Sequence, residues 1–157
     1  MTDEDSPAEL AGQVAAARDR LLAFAATCTD EVWHSTPLAP QGDYRPVGVI
    51  VDHVAHAYEY MGGWMREILA GAAPAVDVAL VDRLNAAHSS AAAHLTQAGS
   101  MEHLTRSGDE IIALIAGLTG ADLEAAGGRI RRFAEIAARH PDTHRADLEK
   151  ALHGSAV

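Results

Sequence analysis

Residues 130–148 read IRRFAEIAARHPDTHRADL, and this stretch decides the fold that we predict. Its apolar residues recur at spacings of three and four, as on one face of an amphipathic helix: Ile130, Phe133, Ala137 and Leu148. His140 and His144 fall on the same stripe, where core residues belong. The stretch therefore predicts a long helix that carries two imidazoles on its inward face.

A second helix with an inward histidine is predicted after Pro46, a residue that suits the start of a helix. The inward positions follow the same spacing: Val49, Ile50, Ala57, Tyr60 and Trp64. His53 lies on this face as well. The pattern predicts that His53, His140 and His144 can meet in the interior.

The composition indicates an all-α protein, because alanine and leucine dominate and no long stretch alternates with period two. At 157 residues the chain is one domain by length, and we place it at residues 6–153 with flexible termini at 1–5 and 154–157. We predict four main helices and a shorter one between the second and the third, packed as a bundle.

The helix boundaries follow from capping and breaking residues. Ser6-Pro7-Ala8-Glu9 is a capping box with proline in the first turn, and the first helix should run to Thr27. The remaining predicted segments are a polar connection at 29–45, a helix from 46 to about 71–74, a helix at 78–97, a break at Gly99 and Ser100, a helix at 101–118, a turn at 121–128 and the last helix.

The charge of the chain excludes some classes of partner. Twelve basic residues against twenty-two acidic ones leave a net charge of −10, which repels nucleic acid and anionic membrane surfaces. No apolar run is long enough to span a membrane and the N-terminus is acidic, so we expect a cytoplasmic protein. The single cysteine, Cys28, is expected to be a buried packing residue, with a reactive thiol or a fourth metal ligand as the alternative.

Two interpretations of the inward histidines stay open on the residues alone. The first is a metal site: imidazole suits zinc, nickel, copper or iron, and three protein ligands leave a position for water or substrate. The second is a set of core histidines bonded to backbone carbonyls or to acids such as Asp52, Glu59 or Asp142. Pro141 predicts a kink next to His140.

The other histidines are given smaller roles. His56 lies one turn beyond His53. We predict that it either lines the pocket or forms a hydrogen bond that supports the metal ligands. The rest are assigned to solvent or to helix ends: His34, His88, His94, His103 and His153.

Two segments resemble the DinB-like (YfiT-like) metal-binding superfamily, which is related to the N-terminal domains of mycothiol-dependent maleylpyruvate isomerases. Residues 45–54, RPVGVIVDHV, resemble its second-helix segment, and residues 140–148, HPDTHRADL, resemble its closing His-x-x-x-His-Arg-x-x-Leu helix, in which proline after the first histidine is tolerated. Residues 81–85 and 118–123 are similar to its linking segment and third-helix exit. The chain departs from the pattern at Arg45, where an aromatic residue is usual, and at Val54, where leucine is usual.

This resemblance implies an up-down-down-up four-helix bundle in which His53, His140 and His144 hold a divalent metal ion, zinc or nickel above all. It also implies a low-molecular-weight thiol such as mycothiol or bacillithiol as co-substrate. The leading hypothesis is therefore a metal-dependent thiol S-transferase or isomerase acting on a small electrophile. Tyr60 is the first candidate for a catalytic proton donor and His56 the second.

Two alternatives remain beside that hypothesis. A metal-dependent hydrolase would use bound hydroxide on an ester, amide or lactone. A bundle that binds a metal or a small ligand would catalyse nothing. In each case the expected partner is a small molecule, and a homodimer is a further expectation because the alanine-rich faces of the inserted helix allow close packing.

Overall fold

Helix α1 (Pro7–Thr27) begins at the capping box that the sequence predicts. The Glu9 amide donates to Ser6 Oγ at 3.3 Å, and the Ser6 amide donates to Glu9 Oε2 at 2.8 Å. Two amides at the start of the helix, which have no partner within it, are satisfied in this way. Local chemistry alone thus determines where the first helix starts.

Six more helices follow in a computed structural model that describes residues 5–154. They are α2 (Asp30–His34), α3 (Val47–Leu69), α4 (Val78–Ala92), α5 (Gln97–Ala116), α6 (Gly120–Leu123) and α7 (Ala125–Gly154). These residues contain no strand, and the predicted all-α class is confirmed. Of the residues predicted to be flexible termini, 1–4 and 155–157 lie outside the described residues.

The four long helices, α1, α3, α5 and α7, form the bundle, and contacts along their lengths give their directions. Helices α1 and α7 are parallel, because Asp5, two residues before α1, accepts from Arg131 near the start of α7, and Arg20 of α1 donates to Asp142 further along α7. Helix α3 is antiparallel to α7, since His53 faces His140 while Trp64 packs on Phe133. Helix α3 is parallel to α5, where residues 52 and 62 lie against residues 103 and 114. The directions are therefore up, down, down and up.

Helix α3 is the most buried of the four. Its side chains pack on both α5 and α7, so apolar residues occupy more than one face of it: Val47, Ile50, Val51, Val54, Tyr58, Met61 and Met65 are all buried. His53 and Asp52 are buried among them. A helix buried on several sides carries its polar side chains into the interior, where they need partners.

The predicted polar connection at 29–45 contains structure of its own. Helix α2 is capped by Thr29, whose Oγ1 accepts from the Val32 amide at 3.2 Å, and a 3₁₀ turn follows at Ala39–Gln41. Trp33 and Leu38 are buried and hold the segment against the bundle. The predicted connection does join α1 to α3, and the prediction did not include the short helix and the turn within it.

The predicted break at Gly99 and Ser100 lies elsewhere in the structure. Helix α4 ends at Ala92, and α5 begins at Gln97 with Thr96 as its N-cap. Thr96 Oγ1 accepts from the Gly99 amide at 3.1 Å, so this glycine lies in the first turn of α5. A good cap upstream offsets the low helix propensity of glycine.

The last helix also differs from the prediction at its start and at its proline. Residues 121–128, predicted as a turn, include α6, and the left-handed residues Ala126, Gly127 and Gly128 separate α6 from the straight part of α7. Their φ angles are 53°, 69° and 77°, a region that suits glycine. Helix α7 continues through Pro141, and the backbone angles that leave the helical range are those of residues 126–128.

We predict that Gly48→Ala destabilises the protein, because a Cβ at this position would overlap the Trp33 ring. Overpacking of this kind costs about 1 to 3 kcal/mol in the free energy of unfolding. Gly63→Ala in the same helix is the control, since a Cβ there meets nothing within 4 Å. It should stabilise by about 0.5 to 1 kcal/mol. Urea unfolding measures both, and equal midpoints for the two variants would contradict the prediction.

Candidate metal centre

Three histidine side chains from two helices converge between α3 and α7. His53 comes from α3, and His140 and His144 come from α7. One nitrogen of each ring lies within 4.8 Å of those of the other two. The Nε2 atoms of His53 and His140 are 3.1 Å apart. The structure thus brings together the three residues that the helical spacing singles out.

The geometry of the cluster follows from the two helices. His140 and His144 are one turn apart on α7, and their ring centroids lie 4.5 Å from each other. His53 approaches from the facing side of α3, with ring centroids 5.1 Å from His140 and 5.2 Å from His144. Because all three rings are carried by regular helix, the backbone fixes the positions from which the side chains extend.

The three imidazoles are neutral at pH 7. Burial, with the neighbouring histidines and the charge of Arg45, lowers the pKa of His53 to about 2. Burial is also the main cause that lowers the pKa of His140 to about 3 and that of His144 to about 4. A neutral imidazole has a free lone pair on one nitrogen, which is the form that binds a metal ion.

The donor set fits a divalent metal ion. Two nitrogens that share a tetrahedral ion at about 2.0 to 2.1 Å lie about 3.3 Å apart. The 3.1 Å between the Nε2 atoms of His53 and His140 is close to that separation. Without an ion, two facing nitrogens at this distance avoid repulsion only if one of them carries a proton that it donates to the other. A three-histidine cluster of this kind is compatible with metal binding.

A buried carboxylate lies directly behind the cluster. Asp52 is 2% exposed and accepts from His88 Nε2 at 2.8 Å and from His103 Nδ1 at 2.9 Å. Burial acts to raise the pKa of Asp52, but the bonds from His103 and His88 outweigh it and hold the pKa well below its usual range. The Asp52 carboxylate is therefore ionised and ties α3 to both α4 and α5.

The predictions for His88 and His103 were wrong, because neither histidine lies free in solvent or at a helix end. His88 is buried, and its ring lies 6.0 Å from that of His53. Its Nδ1 is buried without a hydrogen-bond partner among residues 5–154, which fits an unprotonated nitrogen when Nε2 donates to Asp52. The spacing of four between Leu84, His88 and Ala92 marks an inward face, and it could have identified His88.

The remaining histidines of that group lie at the surface, as predicted. His34, His94 and His153 are exposed. His34 and His153 each bond a backbone carbonyl four residues upstream, at 2.8 Å and 2.7 Å. They offer exposed controls for any experiment on the buried histidines.

A chain of hydrogen bonds links this network to Tyr60. His103 Nε2 donates to Glu59 Oε1 at 2.9 Å, and His56 Nδ1 donates to Glu59 Oε2 at 3.1 Å. The Tyr60 hydroxyl donates to His56 Nε2 at 2.5 Å. Burial, with the neighbouring Glu59, raises the pKa of Tyr60. The two residues predicted as catalytic candidates are thus bonded to each other. The sequence identified Glu59 as a possible acid partner of histidines, but it did not identify His103 as part of this chain.

An apolar cavity of about 250 Å³ adjoins the cluster, with His53 and His140 in its wall. Tyr60 and Trp64 also line it, with ring centroids 5.9 Å apart and nearly parallel planes. A small molecule held there would lie next to the nitrogens of His53 and His140 and to the Tyr60 ring. The arrangement combines a candidate metal site, a chain of hydrogen-bonded polar side chains and an apolar cavity.

Cys28 is separate from this site. It is not one of the residues that form the histidine cluster, and its thiol donates to the Phe24 carbonyl at 3.5 Å. Burial raises the pKa of the Cys28 thiol, which makes the thiolate scarcer. Both observations favour the packing role over a reactive thiol.

Comparison with known families agrees with the geometry. The family model of the DinB superfamily matches residues 6–148. The chain belongs to the DinB superfamily. No curated protein and no solved structure matches it. Membership in the DinB superfamily and the three-histidine cluster are both compatible with metal binding.

None of the helices in the described part of this DinB-superfamily chain combines the length and the apolar character that crossing a membrane requires.

We predict that protonated His103 stabilises the fold and that this contribution is lost at alkaline pH. The bond to Asp52 is the main cause that raises the pKa of His103 to about 9, with a further bond to Glu59. A raised pKa adds stability that is complete below the unfolded value of about 6.5 and disappears as the pH rises to about 9. With allowance for solvent screening, we expect a loss of about 1 to 2 kcal/mol.

Urea unfolding at about pH 6 and about pH 9.5 measures this loss. His103→Asn is the matched variant, because it cannot be protonated in this range. The difference in unfolding free energy between the wild type and the variant should shrink from the lower to the higher pH. A constant difference would show that the charge of His103 does not contribute.

Proposed function

We propose that this protein is a metal-dependent enzyme that transfers a low-molecular-weight thiol to a small electrophile, or uses such a thiol to isomerise one. The observation that carries the proposal is the convergence of three neutral imidazoles, two of which, His53 and His140, line an apolar cavity. Use of mycothiol or bacillithiol by similar proteins supports the choice of a thiol as co-substrate.

His53, His140 and His144 would hold the metal ion, and zinc or nickel suits a set of three imidazole nitrogens. Once bound, a divalent ion supplies a thiolate at neutral pH, because it lowers the pKa of a coordinated thiol from its ordinary value of about 8.5. Three protein ligands leave at least one position for an external ligand. His53 and His140 line the cavity, so a molecule held there would lie beside two of the residues that would bind the ion.

Tyr60, His56 and Glu59 would handle the proton. The Tyr60 proton is engaged with His56 Nε2, so the phenol oxygen can accept the proton of an incoming thiol while its own passes to His56. Glu59 accepts from His56 Nδ1 and stabilises the imidazolium that results. Sulfur then forms a bond to the electrophilic carbon. In a substitution, a leaving group departs with its electron pair. In an addition, the product takes the proton back from Tyr60. In an isomerisation, the carbon–carbon bond that has become single rotates in the adduct, the carbon–sulfur bond breaks with its electron pair returning to sulfur, and the thiolate takes the proton back.

The experiment that tests the proposal is turnover of thiols with electrophiles. The zinc- or nickel-loaded protein is incubated with mycothiol, bacillithiol, glutathione or cysteine. The electrophiles are para-nitrobenzyl chloride, styrene oxide and benzylideneacetone, which are uncharged, and maleate, which is not. We expect conjugate or isomer to form at least about 100-fold faster than with the double variant His140→Ala, His144→Ala. His153→Ala, an exposed change in the same helix, should retain the rate.

The outcomes separate the candidate functions. Thiol-dependent turnover that persists unchanged in the double variant contradicts the proposal. Ester, amide or lactone cleavage without any thiol points to the hydrolase instead. Tight metal binding with neither activity points to the bundle that binds a metal and catalyses nothing.

A further inference from the structure

The wall of the cavity beside the histidine cluster is mostly aromatic and aliphatic. Trp64 packs between two other rings, with centroids 5.9 Å from Tyr60 and 5.4 Å from Phe133. All three rings line the cavity, and aliphatic side chains of α3, α4 and α7 complete the wall. The polar groups that remain are the two histidines, the Tyr60 hydroxyl and the Asn85 amide from α4.

No lysine, arginine, aspartate or glutamate lines this cavity among residues 5–154. Arg129 lies near Phe133, with its guanidinium 6.0 Å from the ring centroid, but it donates to the Pro74 carbonyl at 2.7 Å and is not part of the wall. A charged group placed inside, away from the metal-binding nitrogens of His53 and His140, would lose its water without gaining a partner, at a cost of several kcal/mol. The cavity therefore discriminates against ions.

The size of the cavity limits its ligand further. At about 250 Å³ it is smaller than the range of about 300 to 1,000 Å³ that is typical of drug-sized ligands. One aromatic ring with a short substituent, or a branched aliphatic chain of similar bulk, matches this volume. The three aromatic rings favour flat ligands, because offset stacking adds to the burial of apolar area.

We infer that the electrophile of this enzyme is uncharged and apolar, of single-ring size, with its reactive carbon at the end of the cavity that His53 and His140 line. That the ligand reacts as an electrophile rests on the proposed function. That the ligand is uncharged and apolar rests on the cavity alone. Asn85 and the Tyr60 hydroxyl are the two groups that can hydrogen-bond one neutral polar substituent and orient it. Dicarboxylates such as maleate are excluded from the cavity by the same argument.

Binding of a matched pair of nitroaromatic probes tests the inference without turnover. The probes are para-nitrobenzyl alcohol and para-nitrobenzoate, which are similar in shape and differ in charge. Both quench tryptophan fluorescence at short range. The chain has two tryptophans, so Trp33→Phe leaves Trp64, in the cavity wall, as the only emitter. The measurement uses the full chain, as purified and again after dialysis against a chelator, which removes any metal that could pair with the carboxylate.

We expect saturable quenching by the alcohol and at least about 10-fold weaker binding of the benzoate in the dialysed protein. Ala57→Leu places bulk inside the cavity and should weaken binding of the alcohol at least about 10-fold, whereas Ala86→Leu, exposed on α4, should not. If Ala57→Leu does not fold, Leu84→Arg in the α4 wall replaces it and should bring the affinity for the benzoate up to that for the alcohol.

Equal affinity for the two probes, or linear quenching by both, overturns the inference. The result is distinguishable from failure of the proposed function, because binding is measured without thiol. Selective binding of the alcohol without turnover would support the inferred ligand class and contradict the proposed enzymatic function. Turnover of maleate alone would support the enzymatic function and contradict the inferred ligand class.

Discussion

Replacing His144 with alanine is expected to weaken zinc binding by about 100- to 1,000-fold. Metal binding to zinc sites in small domains is worth about 10 to 16 kcal/mol, or about 2.5 to 4 kcal/mol for each of four ligands. At about 1.4 kcal/mol for each factor of ten, loss of one ligand gives the expected change. The two nitrogens that remain, on His53 and His140, would still face each other at 3.1 Å and retain weak binding.

Competition of the protein with a chromophoric chelator measures the affinity, and plasma mass spectrometry measures the stoichiometry. We expect one zinc ion per chain in the wild type and none retained through gel filtration by His144→Ala. His153→Ala is the matched control, because it removes an exposed histidine from the same helix. Two results would show that the cluster is a set of core histidines and not a metal site. One is an unchanged zinc affinity in His144→Ala, and the other is folded wild-type protein that does not bind zinc.

The histidine cluster could be predicted because its signals are local. His140 and His144 are one turn apart on a stripe that Ile130, Phe133 and Ala137 already mark as inward. His53 follows the same rule in α3. The inward faces of long helices in one bundle meet in the interior of that bundle. Their convergence can therefore be predicted without knowing the structure of the loops.

The network behind the cluster could not be predicted in the same way, because its contacts are distant in sequence. Asp52 bonds His88 at a separation of 36 residues and His103 at a separation of 51. Which histidine reaches a buried carboxylate depends on how α4 and α5 pack against α3. Helix periodicity says which face a residue occupies but not which partner it meets.

The cavity was missed for a related reason. Its wall needs Leu84 and Asn85 of α4 to lie opposite Trp64 of α3. The sequence predicts a helix at α4 but does not say where that short helix docks. The helical spacing therefore predicts that Trp64 and Phe133 face inward, but not that they line a space large enough for a ligand.

Replacing Asp52 with alanine is expected to destabilise the protein by about 3 to 5 kcal/mol. The carboxylate is 2% exposed and accepts hydrogen bonds from both His88 and His103. Its removal leaves a buried imidazole and a protonated one without their acceptor, and breaking a buried charged pair from one side costs an amount of this order. Helix α4 should loosen first, since the His88 bond is the polar link that ties it to α3.

Asp52→Asn separates the loss of charge from the loss of the acceptor. The amide oxygen can still accept one of the two hydrogen bonds, so we expect a smaller loss of about 1 to 3 kcal/mol. Asp82→Ala, an exposed change on α4, should stay within about 0.5 kcal/mol of the wild type. Urea unfolding at neutral pH ranks the three variants, and hydrogen exchange reports which helix opens. If Asp52→Ala and Asp82→Ala unfold at the same urea concentration, Asp52 does not hold α4 and α5 to α3.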